Sequence, residues 1–251
     1  GLDLVHTRLS IQDVDQGDQP FIIGDWVITF NGEIYNHLSL RQKINDYEFR
    51  TQSDTETLLA LYIKYGISAL GMCDGMFAFA ILDIKSDTLF LGRDRSGKKP
   101  LYYYKKEKTL IFVSELNALS GSVTELIVDD KEVYSYIRNG FFYGDKTPFE
   151  NTREVLPGCV LSISLDDVNI TNNRYFDMLE HYKKGKINEL DSALTLVDKC
   201  LHKSIESRLL SSDLEVGAFL SGGIDSSLIV AIASEYVNSL KTFTVKFDGA
   251  F

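Results

Sequence analysis

Gly75-Met76-Phe77-Ala78-Phe79-Ala80-Ile81-Leu82 is nearly continuous in apolar residues. A run this short, rich in aromatic and β-branched side chains, reads as a strand buried on both faces. Asp83 to Asp87 supplies a polar turn, and Leu89-Phe90-Leu91 returns, so the pair is predicted to be a buried hairpin. With further strands and at least two helices around it, the surrounding chain reads as a layered α+β domain.

The flanking segments fit. On the N-terminal side, residues 4–11 alternate and read as a strand carrying Arg8 on its polar face. Residues 15–20 form a turn, and residues 21–30 read as a second strand centred on residues 26–30. Asn31-Gly32-Glu33 then reads as a polar turn, and Asn36 as the cap of a helix through Leu38, Leu40 and Ile44. Ser53-Asp54-Thr55-Glu56 has the form of a capping box, followed by Leu58, Leu61, Tyr62 and Tyr65 at helical spacing. On the C-terminal side, residues 93–100 make a charged loop. Strands are expected at 101–104 and 110–113, a helix after Asp129-Asp130, and a strand pair at 160–165 and 170–176. Residues 181–188 are polar and read as a linker.

A second pattern begins at residue 190. Leu190, Ala193, Leu194, Val197, Leu201, Ile205 and Leu209 mark an amphipathic helix. An apolar run then leads into Ser221-Gly222-Gly223-Ile224-Asp225-Ser226-Ser227, a helix to about Tyr236 and a strand over 242–247. This is a βαβ unit with a glycine turn at its first junction, and such a unit implies a parallel sheet. Two glycines followed by fresh helical N–H groups suit phosphate oxygens. The same residues also read as a plain helix start capped by Asp225 or Ser226.

Composition bounds the function. The chain has 251 residues and a net charge of −10, which argues against a nucleic-acid or anionic-membrane binder. No stretch approaches the ~20 apolar residues of a membrane span. Cys73, Cys159 and Cys200 are far apart and form no paired motif, so neither a disulfide framework nor a zinc site is expected. A reducing cytoplasmic setting follows. All three cysteines read as buried structural residues.

Seven pieces occur together in a recognisable order: Arg8-Leu9-Ser10-Ile11-Gln12-Asp13, Phe30-Asn31-Gly32-Glu33-Ile34-Tyr35-Asn36, Ser53-Asp54-Thr55-Glu56, Gly75 to Ala80, Gly92-Arg93-Asp94 with Gly97 and Pro100-Leu101-Tyr102-Tyr103, Ser114-Glu115, and Leu220 to Ser227. Together they resemble the glutamine-hydrolysing asparagine synthetases. The resemblance implies an α+β four-layer αββα N-terminal-nucleophile hydrolase domain over residues 1–180 and a linker over 181–189. The start of an α/β parallel-sheet ATP pyrophosphatase domain would follow over 190–251, the whole being a fragment.

The resemblance also assigns roles. Arg8 would bind the glutamine α-carboxylate, as a bidentate guanidinium can. Glu33 and Asp54 would hold its ammonium, and Asn31 with the Gly32 N–H would form the oxyanion hole. Ser221, Gly222, Gly223, Ser226 and Ser227 would hold ATP phosphates, and Asp225 a Mg2+ ion. Leu220 and Val245 would line the adenine pocket. Taken singly, Arg8 reads as a surface charge, Asn31-Gly32 as a turn and Asp54 as a first-turn acid; their joint occurrence favours the functional reading. The residues 93–100 loop is assigned a structural role. The family nucleophile is an N-terminal cysteine; position 1 is Gly, so the chain as it stands is expected to be glutaminase-inactive.

The implied reaction is hydrolysis of glutamine to ammonia, adenylation of an acceptor carboxylate, aspartate in the namesake, and amidation with release of AMP and pyrophosphate. A homodimer is the implied assembly. A glutaminase-inactive amide or lactam synthetase and a non-catalytic regulatory module are the alternatives.

Overall fold

A computed structural model describes residues 2–9, 11–13, 15–123, 125–183 and 185–246. The chain divides into two compact units. The first contains residues 1–9 and 15–179, and the second residues 10–14 and 180–251.

In the first unit, a six-stranded antiparallel sheet has the order β1-β2-β3-β4-β8-β9. Its strands are β1 (Phe21–Ile23), β2 (Trp26–Ile34), β3 (Gly75–Asp83), β4 (Thr88–Arg93), β8 (Cys159–Ser164) and β9 (Ile170–Arg174). A three-stranded sheet, order β6-β5-β7, is built from β5 (Tyr102–Lys106), β6 (Thr109–Val113) and β7 (Thr152–Glu154). The helices are α1 (His37–Arg41), α2 (Asp54–Tyr65) and α3 (Asp130–Asn139).

The buried hairpin is β3 and β4, paired from Ala78↔Arg93 to Asp83↔Thr88. The pleat divides β3 between two cores. Phe77, Phe79 and Ile81 pack with Leu58, Leu61 and Tyr62 of α2 and with Ile28 and Phe30 of β2. Ala78 and Ala80 face the other way, in a cluster with Tyr103 and Phe112 of the second sheet and with Leu101 and Val155, which flank its strands β5 and β7. Large side chains thus fill the helix-to-sheet layer, and alanines let the two sheets approach. With the helical pieces that follow β6, a 3₁₀ turn at Leu116–Gly121 and α3, this is the αββα architecture that the family resemblance implies.

Several local expectations are corrected. Residues 4–11 form no ladder among the described residues; the segment keeps an alternating burial pattern without a strand partner, and Ser10 lies outside the described residues. The stretch 21–30 is a hairpin, not one strand, because Gly24 at φ +57° turns β1 back on β2. Asn31, Gly32 and Glu33 are not a turn: they lie inside β2, in register with Ala78, Phe77 and Met76 of β3. The capping box is half-formed. Ser53 Oγ accepts the Thr55 N–H, but the Glu56 carboxylate takes the Arg50 and Thr51 N–H groups and the Thr51 and Tyr47 hydroxyls. Asn36 stands at the N-cap of α1 without a side-chain cap bond, because its amide links instead to the Met72 carbonyl and the Asp74 N–H.

The second unit contains α5 (Leu190–Leu210), β10 (Gly217–Phe219), α6 (Ile224–Tyr236) and β11 (Lys241–Phe243). Strands β10 and β11 are parallel, so the βαβ reading holds over shorter strands than expected; Phe247 lies outside the described residues. Helix α5 has the expected apolar spacing, yet only Ile205 on it is buried. It packs, with Leu201 and Leu209, against Ile232 and Ala233 of α6. Residues Met178–Lys183 are helical (α4). No described helix is long and apolar enough to cross a membrane.

Candidate functional site

The β2 edge is where the expected glutamine residues gather. β1 covers β2 only as far as Ile28. Beyond that point the backbone groups facing away from β3 are met by side chains. The Phe30 N–H donates to Gln19 Oε1 at 2.6 Å, and Gln19 Nε2 donates to the Phe30 carbonyl at 3.0 Å. Two residue pairs along, the Ile34 N–H donates to Asp54 Oδ2 at 2.8 Å.

Positions 30 and 34 therefore face outward, and the two-residue period of a strand turns the Gly32 N–H to the same side. The opposite strand agrees. Phe77, the register partner of Gly32, directs its own N–H and carbonyl towards Asp94, at 3.1 and 2.8 Å. Gly32 and Phe77 are thus a non-hydrogen-bonded pair, the close-approach kind. A Cβ on Gly32 would fall 2.2 Å from the Met76 carbonyl oxygen and 2.6 Å from Phe77 Cα. Only glycine fits.

Asp54 is the first residue of α2, with Ser53 as its cap, and is 4% exposed. Burial pushes its carboxyl up to about 7, against the Ile34 and Thr55 N–H groups, and the charge of Glu33 adds to the rise. A buried acid beside a second acid is suited to receive a cation such as an ammonium. The segment leading to it is held firmly. Arg41 donates to the Thr51 and Ser53 carbonyls and to Thr57 Oγ1, while fully buried Glu56 holds the other side of the same bend.

Arg8 is half-buried and ion-pairs at 3.9 Å with the exposed Asp18. Two residues before it, His6 is held below its ordinary range by burial, and its ring interacts with the Phe30 carbonyl and with Arg8. Arg8 thus belongs to a segment running by the β2 edge. Asn31, Gly32 and Glu33 follow one another on β2, and Asp54 reaches this stretch through the Ile34 N–H and the charge of Glu33; Arg8 adjoins it through His6, whose ring meets the Phe30 carbonyl.

The 93–99 loop is rigid. The Asp94 carboxylate accepts the N–H groups of Phe77, Ser96, Lys98 and Lys99. Arg93 donates to the Lys99, Val155 and Gly97 carbonyls and pairs with Glu154 at 2.8 Å. This is a structural role, and it fixes the strand behind Gly32. Cys73 and Cys159 are buried; burial pushes the Cys73 thiol up to about 12 and raises Cys159 too. Cys200 is exposed, contrary to expectation; the residues of α5 that pack against α6 are Leu201, Ile205 and Leu209.

In the second unit, Ser221 to Ser227 joins β10 to α6 and is largely exposed. Gly222 sits at φ +82° with nothing within 4 Å of a Cβ placed there, and a Cβ on Gly223 would meet only Ser221 Oγ at 3.5 Å. Gly223 is the N-cap of α6, without a side-chain cap, so neither Asp225 nor Ser226 plays that part. The Ser226 hydroxyl donates to the Gly223 carbonyl and lies 3.1 Å from Ser221 Oγ. The first-turn N–H groups of α6 open beside this loop. The Leu220 N–H donates to the Phe243 carbonyl, and Thr244 Oγ1 to the Leu220 carbonyl at 2.6 Å. This brings Leu220 near Val245, which is 71% exposed. Asp225 is exposed at the second position of α6. Among the described residues no group of three or more His, Cys, Asp or Glu could hold a metal ion.

Gln19 was not singled out from the sequence. Its partner is a backbone unit eleven residues away, and no periodicity marks such a contact.

Residues 1–176 match the family model described as a glutamine amidotransferase domain, and residues 196–251 that described as asparagine synthase. Among curated proteins the chain is 39% identical over 246 residues to glutamine-hydrolysing asparagine synthetase 1 of Bacillus subtilis, covering 96% of this chain and 38% of that protein. It is 34% identical over 276 residues to a putative glutamine-hydrolysing asparagine synthetase 2 of Methanocaldococcus jannaschii, covering 100% and 52%. With glutamine-hydrolysing asparagine synthetase 1 of Saccharomyces cerevisiae the identity is 34% over 237 residues, covering 92% and 36%. The chain thus spans about two-fifths to one-half of the length of these relatives.

Proposed function

We propose, from the premise that this chain belongs to the glutamine amidotransferase domain family, that its first unit binds glutamine and its second begins an ATP-binding synthetase domain. The observation that carries this reading is the β2 edge: the Gly32 N–H is turned outward between two neighbours already held by Gln19 and Asp54.

In this reading the substrate's amide oxygen sits at the Gly32 N–H and the Asn31 side chain. Those donors stabilise the negative charge that develops when the amide carbon becomes tetrahedral. Asp54 and Glu33 hold the α-ammonium, and Arg8 the α-carboxylate. The nucleophile in this reading is the N-terminal cysteine that the family resemblance implies; Cys73 and Cys159 are buried thiols, and Cys200 lies in the second unit. Residues 1–180 form the amidotransferase domain, 181–189 the linker and 190–251 the start of the synthetase domain.

Ser221, Gly222, Gly223, Ser226 and Ser227 hold phosphates of ATP, with open space at Gly222 and Gly223 to receive them. Leu220 and Val245 border the adenine. Asp225 supplies one carboxylate, a donor that suits Mg2+ when phosphates and water provide the rest. Bound there, Mg2+ would neutralise phosphate charge. The whole protein is then a cytoplasmic, homodimeric ligase that adenylates a carboxylate, aspartate by the relatives' name, and amidates it with ammonia from glutamine.

The test is glutamine-dependent AMP release by the whole protein across a panel of carboxylic acids. Aspartate should be preferred, and Asp225→Ala should abolish ATP–pyrophosphate exchange while leaving glutamine hydrolysis intact. Absence of AMP release with every acid, or exchange unaffected in Asp225→Ala, would refute the assignment.

A further inference from the structure

A peptide unit flanked by glycine can rotate, because glycine imposes little restriction on φ. The peptide between Asn31 and Gly32 is such a unit, and its rotation would swing the Gly32 N–H out of line. Something must hold its neighbours. On one side, Asp54 takes the Ile34 N–H. On the other, one side chain holds both polar groups of Phe30: Gln19 Oε1 accepts the N–H at 2.6 Å and Gln19 Nε2 donates to the carbonyl at 3.0 Å. The same Nε2 also lies 3.3 Å from Thr55 Oγ1, on the residue that follows Asp54 in α2. Thr55 is 3% exposed. One half-buried amide therefore joins the strand that carries the oxyanion donor to the helix turn that carries the ammonium acceptor.

We propose that Gln19 is a positioning residue for glutamine hydrolysis. It acts as a two-point clamp on Phe30 that, with Asp54 on Ile34, keeps the Gly32 N–H directed off the sheet edge. The inference rests on the glutamine-binding role proposed above and adds a residue that touches no substrate. A donor aimed before the substrate arrives needs no rearrangement as charge develops, so the effect falls on turnover and not on ground-state binding.

Two arms test it, and they fail separately. In the isotopically labelled 251-residue chain, Gln19→Leu should bring microsecond-to-millisecond exchange broadening to the Gly32 amide, with the Ile34 amide unchanged. Gln19→Glu keeps the acceptor and loses the donor, and should give a smaller effect; it also serves if the leucine variant does not fold. In the whole protein, Gln19→Leu should lower kcat for glutamine hydrolysis by about 10–100-fold, below the loss expected for deleting an oxyanion donor. The glutamine KM should stay within about twofold, and ammonia-dependent synthesis should be unchanged, as expected when only transition-state stabilisation is lost. An undisturbed Gly32 amide in a folded variant overturns the proposal. So does a rise in KM at constant kcat, or an equal fall in the ammonia-dependent reaction, which would mark Gln19 as merely structural. If the unmodified whole protein hydrolyses no glutamine, the function proposed above is wrong, and the Gly32 amide still decides whether the clamp exists.

Discussion

Replacing Asp54 by Asn should remove a pH dependence from the stability of the first unit. Asp54 is buried, and its carboxyl is raised from 3.8 to about 7 chiefly by desolvation. A raised acid contributes its full stabilisation below the unfolded value and loses it as pH rises through the folded one. Each unit of difference is worth about 1.4 kcal/mol. Between pH 5 and pH 8 the wild-type chain should therefore lose about 2–3 kcal/mol at this site. Asn cannot ionise, and its carbonyl still accepts the Ile34 N–H.

His6 pulls the other way. Burial lowers its value, so its contribution is present above the unfolded range and fades as pH falls. The difference between wild type and Asp54→Asn cancels it. Urea unfolding followed by fluorescence measures that difference at pH 5, 6, 7 and 8. Trp26 is the sole tryptophan and packs against Tyr62 and Phe90. The variant should be the less favoured partner at pH 5 and gain steadily by pH 8. A constant offset across that range would refute the argument that burial controls Asp54. The glutamine role proposed for Asp54 supplies a second reading: an ammonium paired with it requires the ionised carboxylate, so glutamine affinity for the wild-type chain should rise from pH 5.5 to 7.5.

Two further outcomes follow from packing. Gly32→Ala drives a methyl into the backbone of Met76 and Phe77, and should cost about 1–3 kcal/mol or more; an unchanged Tm would show that β2 and β3 can part without penalty. With an aromatic disulfide reagent, one thiol, Cys200, should react in the native chain, while Cys73 and Cys159 react only on unfolding. Rapid modification of two or more native thiols would contradict the buried placement of those cysteines.

The layers were legible because β3 is apolar on both faces and short, and the polar turn and apolar return after it mark a buried hairpin. The βαβ turn was legible for the same kind of reason, since glycine placement and flanking apolar runs are local. Asn31-Gly32 shows where local reading stops. The dipeptide has turn chemistry, yet it lies in a nine-residue strand, because the ladder to β3 continues through it and the close approach to Phe77 requires glycine. Glu56 misled similarly: its spacing from Ser53 suits a reciprocal cap, but the bend at residues 50–51 offers more donors. The side-chain-to-backbone bond from Gln19 to Phe30 spans eleven residues and leaves no mark in hydrophobic pattern.

The exposed rim of β2 has a further consequence. A strand rim with unmatched N–H and carbonyl groups invites another extended chain to add itself, and proteins counter this with charges, kinks or covers. Here Gln19 and Asp54 occupy Phe30 and Ile34 on either side of Gly32, so an incoming strand would find its hydrogen-bonding partners taken at alternate positions. The side chains that flank the Gly32 N–H thereby guard the sheet against self-association. Loosening them would carry a cost in solubility.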